Sequence, residues 1–246
     1  MLRTTAATLP TSALLAGLLS GLWACSATAA DSGPELTPYH ASYTASMSKG
    51  VSLRGEGVRT LSDQGNNIWL YRTDVDSFIA DIDESLIFKW ENGRVIPLRY
   101  RYRLSGFLIK DRRQSIDFNW PEGVATGSYQ GEAFEAELRD GTLDPLGFQL
   151  QLHQDLKAGK RDVTYHVLDK GDYDEDRFSV VDEDSLSDRG RTMNTLKAEK
   201  VREADARRQT LMWFDPARDY LLVRLLQVEP DGSEYELRLR DARVQD

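Results

Sequence analysis

Apolar and polar residues alternate in several short segments of the chain. From Tyr39 to Met47 every second residue is apolar or aromatic, and the residues between them are His, Ser or Thr. The same period of two returns in segments that begin at Tyr100, Ile116, Phe134, Val163 and Tyr235. A period of two predicts β-strands that bury one face and expose the other.

Turn signals separate these segments at a spacing of roughly ten residues, which is typical of short strands joined by tight turns. Each signal contains glycine next to Asn, Asp, Glu or Gln, at residues 63–66, 91–93, 121–123, 130–131 and 230–232. Such residues favour the backbone conformations of tight turns. The sequence therefore predicts an antiparallel meander.

One segment follows a helical period instead. Asp144 and Pro145 form a helix-start signal, because an acceptor side chain precedes a proline at the first helical position. Three leucines follow at helical spacing: Leu146, Leu150 and Leu156. Glycine commonly ends helices, and Gly159 follows this segment. We predict one main helix over residues 144–157, lying across the apolar face of the sheet.

These patterns predict a mainly β fold, an antiparallel curled sheet or half-open barrel of roughly 10–14 strands that holds one main α-helix. We predict a single β domain over residues 38–246. The alternative is a pair of β domains divided near Gly159. After the first 30 residues the sequence has no stretch of about 18 apolar residues, which argues against a membrane span there.

The first 30 residues have the features of an export signal. Arg3 precedes an apolar stretch at residues 14–24, and 27–29 (Ala-Thr-Ala) is a small-x-small cleavage site. We therefore expect removal of residues 1–30, a linker at 31–37, and a periplasmic protein. The alternative is lipidation of Cys25, which follows a lipobox-like Leu-Trp-Ala and would tether the domain to a membrane.

Charge and cysteine content exclude several classes of function. Arg3 is the one charged residue in the predicted signal, so removing it changes the net charge from −9 to −10. An acidic balance of this size argues against a nucleic-acid partner. Cys25 is the single cysteine, so the rest of the chain has neither disulfides nor cysteine metal ligands.

Motifs for catalysis or metal binding are weak. The three histidines are far apart, at His40, His153 and His166. The acidic run 172–188 resembles part of a calcium-binding loop, but Arg177 stands where that loop requires glycine. We predict no metal, no cofactor and no enzymatic activity. The alternative is a hydrolase that uses carboxylates brought together by the fold.

The C-terminal third contains the most recognisable motifs. Residues 211–216 (LMWFDP) are followed by 219–225 (DYLLVRL), and the domain opens with Tyr-x-Ala-x-Tyr at 39–43. Together with the helix start at 143–145 and the leader, these motifs resemble the bacterial envelope family called domain of unknown function 3108. The resemblance implies a periplasmic, largely antiparallel β fold and assigns no activity. The implied architecture is similar to the half-barrels of lipoprotein carriers.

A curled sheet closed by a helix is a natural pocket for an apolar ligand or the hydrophobic segment of an envelope partner. The residues predicted to bind such a ligand are Leu146, Leu150, Leu156, Tyr100, Tyr102 and Trp120. The alternative is that these side chains fill the core, and the close packing of protein interiors favours that alternative.

Overall fold

The computed structural model describes residues 35–48, 52–77, 80–107, 110–188, 191–202 and 206–244. The predicted signal peptide, 1–30, lies outside the described residues, and so does Cys25. The predicted linker 31–37 lies partly outside them. Within its described part, Leu36 is buried in the core of the β domain.

The N-terminal half of the domain is an eight-stranded meander. Its strands are β1 (Tyr39–Ser48), β2 (Ser52–Asp63), β3 (Ile68–Ser77), β4 (Asp81–Glu91), β5 (Arg94–Ser105), β6 (Arg112–Asn119), β7 (Val124–Tyr129) and β8 (Glu132–Glu137). Asn92 and Gly93 join β4 to β5, and both have positive φ, as a two-residue hairpin turn requires.

The C-terminal half contains the helix and seven further strands. In chain order they are β9 (Thr142–Leu143), α1 (Gly147–Lys157), β10 (Asp162–Asp169), β11 (Asp172–Asp188), β12 (Arg191–Lys200), β13 (Gln209–Asp215), β14 (Leu221–Val228) and β15 (Glu234–Val244). A short 3-10 helix, Pro216–Arg218, precedes β14.

The fifteen strands of the described residues form one sheet, with the order β8-β7-β6-β5-β4-β3-β2-β1-β15-β14-β13-β12-β11-β10-β9. The first and last long strands, β1 and β15, are antiparallel neighbours near its middle. The predicted fold class, a mainly β curled sheet with one helix, is confirmed. The sheet has fifteen strands rather than the expected 10–14, because the two-residue β9 pairs in parallel with β10.

The two edges of the sheet approach each other without pairing as strands. The Tyr173 hydroxyl, near the start of β11, donates to the carbonyl of Glu137 at 2.9 Å. The Arg139 guanidinium lies 4.1 Å from the Tyr173 ring centre. The curl is therefore joined by side chains at this point, and the described strands do not close into a barrel.

Helix α1 begins three residues later than the sequence predicted. Asp144 Oδ1 accepts hydrogen bonds from the backbone N–H groups of Leu146, at 3.0 Å, and Gly147, at 2.9 Å. These are N–H groups that a helix start leaves without a partner inside the helix. Asp144 thus has its predicted role at the helix start, although the first helical residue is Gly147.

The concave face of β2–β6 is organised in three parallel rows of inward-facing side chains. The core row contains Leu61, Tyr71, Leu86, Tyr100 and Ile116, which pair in register from β2 to β6. The polar row contains Arg59, Thr73, Glu84, Tyr102 and Gln114. The groove row contains Gly57, Val75, Ile82, Leu104 and Arg112.

Helix α1 covers the core row. Every core-row side chain is buried, with at most 2% of its surface exposed. Leu86 lies directly under the first helical residue, Gly147. Further along the helix, the Gln151 side chain accepts from the backbone N–H of Val95 and donates to the carbonyl of Gly93. Apolar packing and these bonds fix the helix at one end of the concave face.

No described helix has both the length and the apolar character that crossing a membrane requires.

Candidate functional site: an apolar groove

The helix is too short to cover the concave face. An eleven-residue helix is roughly 16 Å long, whereas a twelve-residue strand such as β5 extends about 40 Å. None of the helix residues 147–157 lines the strand ends beyond the polar row, which are open on their concave side. A groove of about 970 Å³ lies there. Its volume is at the upper end of the range of small-molecule sites, about 300–1,000 Å³.

Apolar side chains form most of the groove. One wall is the groove row, in which Val75, Ile82 and Leu104 lie side by side on β3, β4 and β5. The other wall is β14 and β15, where Leu225 and Leu237 pair across the strands. Ala45, Met47 and Gly55 lie between the walls, on β1 and β2.

Charged groups lie around these apolar walls. Three arginines and three acidic residues are among the groove residues: Arg54, Arg112, Arg208, Glu229, Asp231 and Glu236. The site thus combines an apolar interior with ionic groups at its margin, as binding sites for amphipathic molecules do.

The polar row separates the groove from the helix-covered core. Arg59 is its most constrained member: it is 4% exposed, and its Nε donates to Thr73 Oγ1 at 3.0 Å. Its Nη2 donates to Gln149 Oε1 on the helix at 2.8 Å, and its guanidinium lies 5.6 Å from the centre of the Tyr71 ring. A buried charge requires such partners, so this network fixes the helix against the sheet.

Two carboxyl groups beside this network have raised pKa values. Burial raises the pKa of Glu84, against the lowering effects of a hydrogen bond from Tyr100 and the charge of Arg59. Burial also raises the pKa of Asp144 to about 7, and the charge of Glu84 adds to that rise. Asp144 Oδ2 has no hydrogen-bond partner within the described residues. A protonated Asp144 is therefore populated near neutral pH.

A hydrolase that uses carboxylates needs two of them in a cleft that substrate can enter. Glu84 and Asp144 interact electrostatically, but Asp144 is fully buried beneath the start of the helix. Neither residue lines the groove. Their raised pKa values have a structural origin in the helix-sheet contact.

Of the six residues predicted to bind a ligand, four lie in the core. Leu146, Leu150 and Leu156 on or next to the helix are at most 1% exposed. Tyr100 belongs to the core row, and its hydroxyl donates to Glu84 Oε1 at 2.7 Å. These four side chains pack together, as in the filled-core alternative, and they do not line the groove.

The remaining two predicted residues lie apart from each other. Tyr102 lines the groove from the polar row. Trp120 follows β6, stacks on Phe118 with a 6.5 Å separation of ring centres, and donates from Nε1 to the carbonyl of Pro97 at 2.6 Å. The structure thus brings only Tyr102 of the six to the groove. Whether any of them contacts a ligand stays a prediction.

Residues missing from the sequence prediction form the second wall. Leu225, Tyr235 and Leu237 belong to the last two strands, and the alternation beginning at Tyr235 already marked Leu237 as inward-facing. The alternation does not predict that these residues lie opposite β3–β5, because that position depends on how the whole sheet curls.

The histidines and the acidic run do not form a joint site. His40 and His166 are exposed. His153 is buried on the helix, where its Nε2 lies 2.6 Å from the carbonyl oxygen of Asp219, and burial lowers its pKa. The acidic run extends along strand β11 instead of wrapping as a loop. Across the described ranges, no three His, Cys, Asp or Glu side chains come together as a metal site would require.

Comparisons with known proteins identify a family and a related fold. The family model described as "Protein of unknown function (DUF3108)" matches residues 42–240. A crystal structure of a beta-barrel-like protein of domain of unknown function DUF1849 from Brucella abortus is similar, with a TM-score of 0.56 at 12% identity, over 86% of this chain and 99% of that chain. At that identity the likeness concerns the fold alone. Among curated proteins, none matches the sequence.

Proposed function

We propose that this chain, which belongs to the DUF3108 family of proteins of unknown function, is a non-enzymatic binding protein of the bacterial cell envelope. Its groove takes up the apolar part of a lipid-like small molecule. The observation that carries this proposal is the open groove of about 970 Å³, whose walls are mainly apolar although they lie on the surface. Apolar surface of this kind favours a bound partner, because its removal from water is favourable.

The separation of groove from core supports the same proposal. The core row is already covered by helix α1 and needs no ligand for its burial. The groove row lies beyond the buried polar network of Arg59, so the helix cannot slide to cover it without breaking the bond to Gln149. The groove is thus an independent surface available for binding.

Binding of the neutral apolar fluorophore N-phenyl-1-naphthylamine tests the proposal. Val75→Gln would place an amide on the groove wall, where a buried polar group without a partner costs about 1–3 kcal/mol. We expect a tenfold or greater loss of affinity, since about 1.4 kcal/mol corresponds to a factor of ten. Val58→Gln is the matched control, because Val58 lies on the neighbouring strand β2 at a position alternating to the other face.

Two results would contradict the proposal: no uptake of the fluorophore by the wild-type protein, or equal losses in the two variants. Absence of uptake would leave a surface contact with an envelope protein as the surviving function.

The envelope location rests on the leader, and it is tested separately. Mass spectrometry of the mature protein should find an N-terminus at Ala30 or Asp31, or an acylated Cys25 if the domain is tethered. An intact Met1 on protein recovered from the cytoplasm would contradict both locations.

A further inference from the structure

The charged groups of the groove are not evenly paired. On the β14–β15 side, Glu229 accepts from Arg208 at 2.6 Å. Glu236 accepts from Arg224 at 2.6 Å and lies 2.9 Å from Arg238 Nε. The acidic groups of this wall are therefore engaged by residues of the same region.

Asp231 is engaged as well, because its Oδ1 accepts from the backbone N–H of Ser233 at 3.0 Å. The two glutamates of the groove are thus paired with arginines, and Asp231 accepts from a backbone donor.

The opposite wall carries an arginine, Arg112, that forms no ion pair with the described residues. Arg112 opens β6 at an inward-facing position, since Gln114 and Ile116 alternate with outward-facing residues on the same strand. It lies next to Leu104 in the groove row. No carboxylate within the described part of the chain forms an ion pair with Arg112. Arg54 also borders the groove, but the alternation of β2 places its side chain on the other face from Gly55.

Two polar side chains, Tyr102 and Gln114, lie on the same face as Arg112, one register step away. Tyr102 and Gln114 pair with each other across β5 and β6, one step deeper than Leu104 and Arg112. Gln114 is 5% exposed, yet its Nε2 has no hydrogen-bond partner in the described residues. Burial raises the pKa of Tyr102, and the nearby charge of Arg112 opposes that rise, so the two side chains are within electrostatic reach.

We propose, as a deepening of the proposed function on which it rests, that the ligand is an anionic amphiphile with a carboxylate or phosphate head group and an acyl chain. Its head group is bound by Arg112, and its chain lies along Ile82 and Val75 towards Leu225 and Leu237. A guanidinium presents paired N–H donors that match the two oxygens of such a head group. Tyr102 supplies a further hydroxyl donor beside it.

The test compares ligands that share one chain and differ in head group. Laurate, dodecanol and dodecyltrimethylammonium are each used to displace N-phenyl-1-naphthylamine at pH 8. With the wild-type protein we expect laurate to displace the fluorophore at about one-tenth of the dodecanol concentration, the factor that one added charge-assisted hydrogen bond of about 1.4 kcal/mol produces. The cationic amphiphile should bind more weakly than dodecanol.

Two arginine variants locate the head group. Arg112→Gln should lower the ratio of laurate affinity to dodecanol affinity about tenfold, and an unchanged urea midpoint would show that the variant is folded. Arg113→Gln is the matched control, because Arg113 is the next residue, faces the opposite side and lies 3.9 Å from Asp111. It should keep the full preference.

The outcomes separate this inference from the proposed function. If dodecanol and laurate bind equally, or if Arg112→Gln keeps the preference, the anionic head group is overturned and apolar binding stands. A preference for the cationic amphiphile would also overturn it. If the wild-type protein binds neither the fluorophore nor any of the three amphiphiles, both proposals fail.

Discussion

The hydroxyl of Tyr100 donates a 2.7 Å hydrogen bond to Glu84 Oε1 and so connects the core row to the polar row. Tyr100 is 2% exposed and lies under the helix, whereas Glu84 is half-buried at the border of the groove. The bond supplies a donor to a carboxylate that burial would otherwise leave poorly solvated. It lies between the packed interior and the open groove.

Removing this hydroxyl should destabilise the fold. Tyr100→Phe leaves the Glu84 carboxylate without its phenolic donor, and we expect a loss of about 1–3 kcal/mol in the free energy of unfolding, measured by urea denaturation. Tyr102→Phe is the control, because Tyr102 is on the same strand and its hydroxyl forms no hydrogen bond with another described residue. Equal losses in the two variants would contradict the assigned role of the Tyr100–Glu84 bond.

The core and the groove should respond differently to loss of a leucine. Leu150 is fully buried on the helix, so Leu150→Ala should cost about 2–5 kcal/mol of stability and leave affinity for N-phenyl-1-naphthylamine unchanged. Leu104 lies half-buried in the groove row, so Leu104→Ala should cost less stability and weaken fluorophore binding instead. Calorimetry and fluorescence titration measure the two effects. Weaker binding in Leu150→Ala would place the ligand beneath the helix rather than in the groove.

Much of the fold follows from local patterns. The period of two at Tyr39 and Tyr100 identifies strands and their buried faces, and Asp144 marks the region in which the helix starts. These features depend on neighbours along the chain.

The position of the groove could not be predicted in the same way. Its walls combine β3–β5 with β14 and β15, which are brought together by the β1–β15 pairing and the curl of the sheet. Arg59 and Glu84 also break the simple rule that inward-facing strand positions are apolar. Their burial depends on Thr73, Gln149 and Tyr100, partners that only the three-dimensional structure brings together.

Stability should depend on pH through Asp144. Its pKa is about 7 in the folded protein and about 3.9 for an unfolded chain, so the folded state holds the proton more tightly. The free energy of unfolding should therefore fall as pH rises from about 4 to about 7 and level off above that, by roughly 4 kcal/mol from this group. Urea denaturation at pH 4.5, 6 and 8 measures the slope.

The variant Asp144→Asn isolates this contribution. Its side-chain oxygen can still accept from the N–H groups of Leu146 and Gly147, but the group does not ionise. The difference in stability between Asp144→Asn and wild type should grow in favour of the variant between pH 4.5 and 8. A constant difference across that range would show that Asp144 titrates normally.

Two glycines of β2 offer a matched test of how closely the strands approach at the groove. A Cβ added at Gly55 would lie 2.4 Å from the carbonyl oxygen of Asp76 and 2.6 Å from the Cβ of Ser77, both on β3. A carbonyl of the neighbouring strand cannot rotate away as a flexible side chain can, so Gly55→Ala must push β2 and β3 apart. We expect a loss of about 1–3 kcal/mol and, because Gly55 lines the groove, weaker fluorophore binding.

Gly57→Ala places the same methyl group two residues along the strand, on the same face. Its Cβ would lie 3.4 Å from the Cβ of Tyr43 and 3.5 Å from Cδ2 of Leu237, which are ordinary contact distances. Since alanine also lowers the conformational entropy of the unfolded chain, this variant should be neutral or more stable by about 0.4–1 kcal/mol. Urea midpoints of the two variants give the comparison. If both variants lost stability equally, the close approach of Gly55 to β3 would not account for the loss.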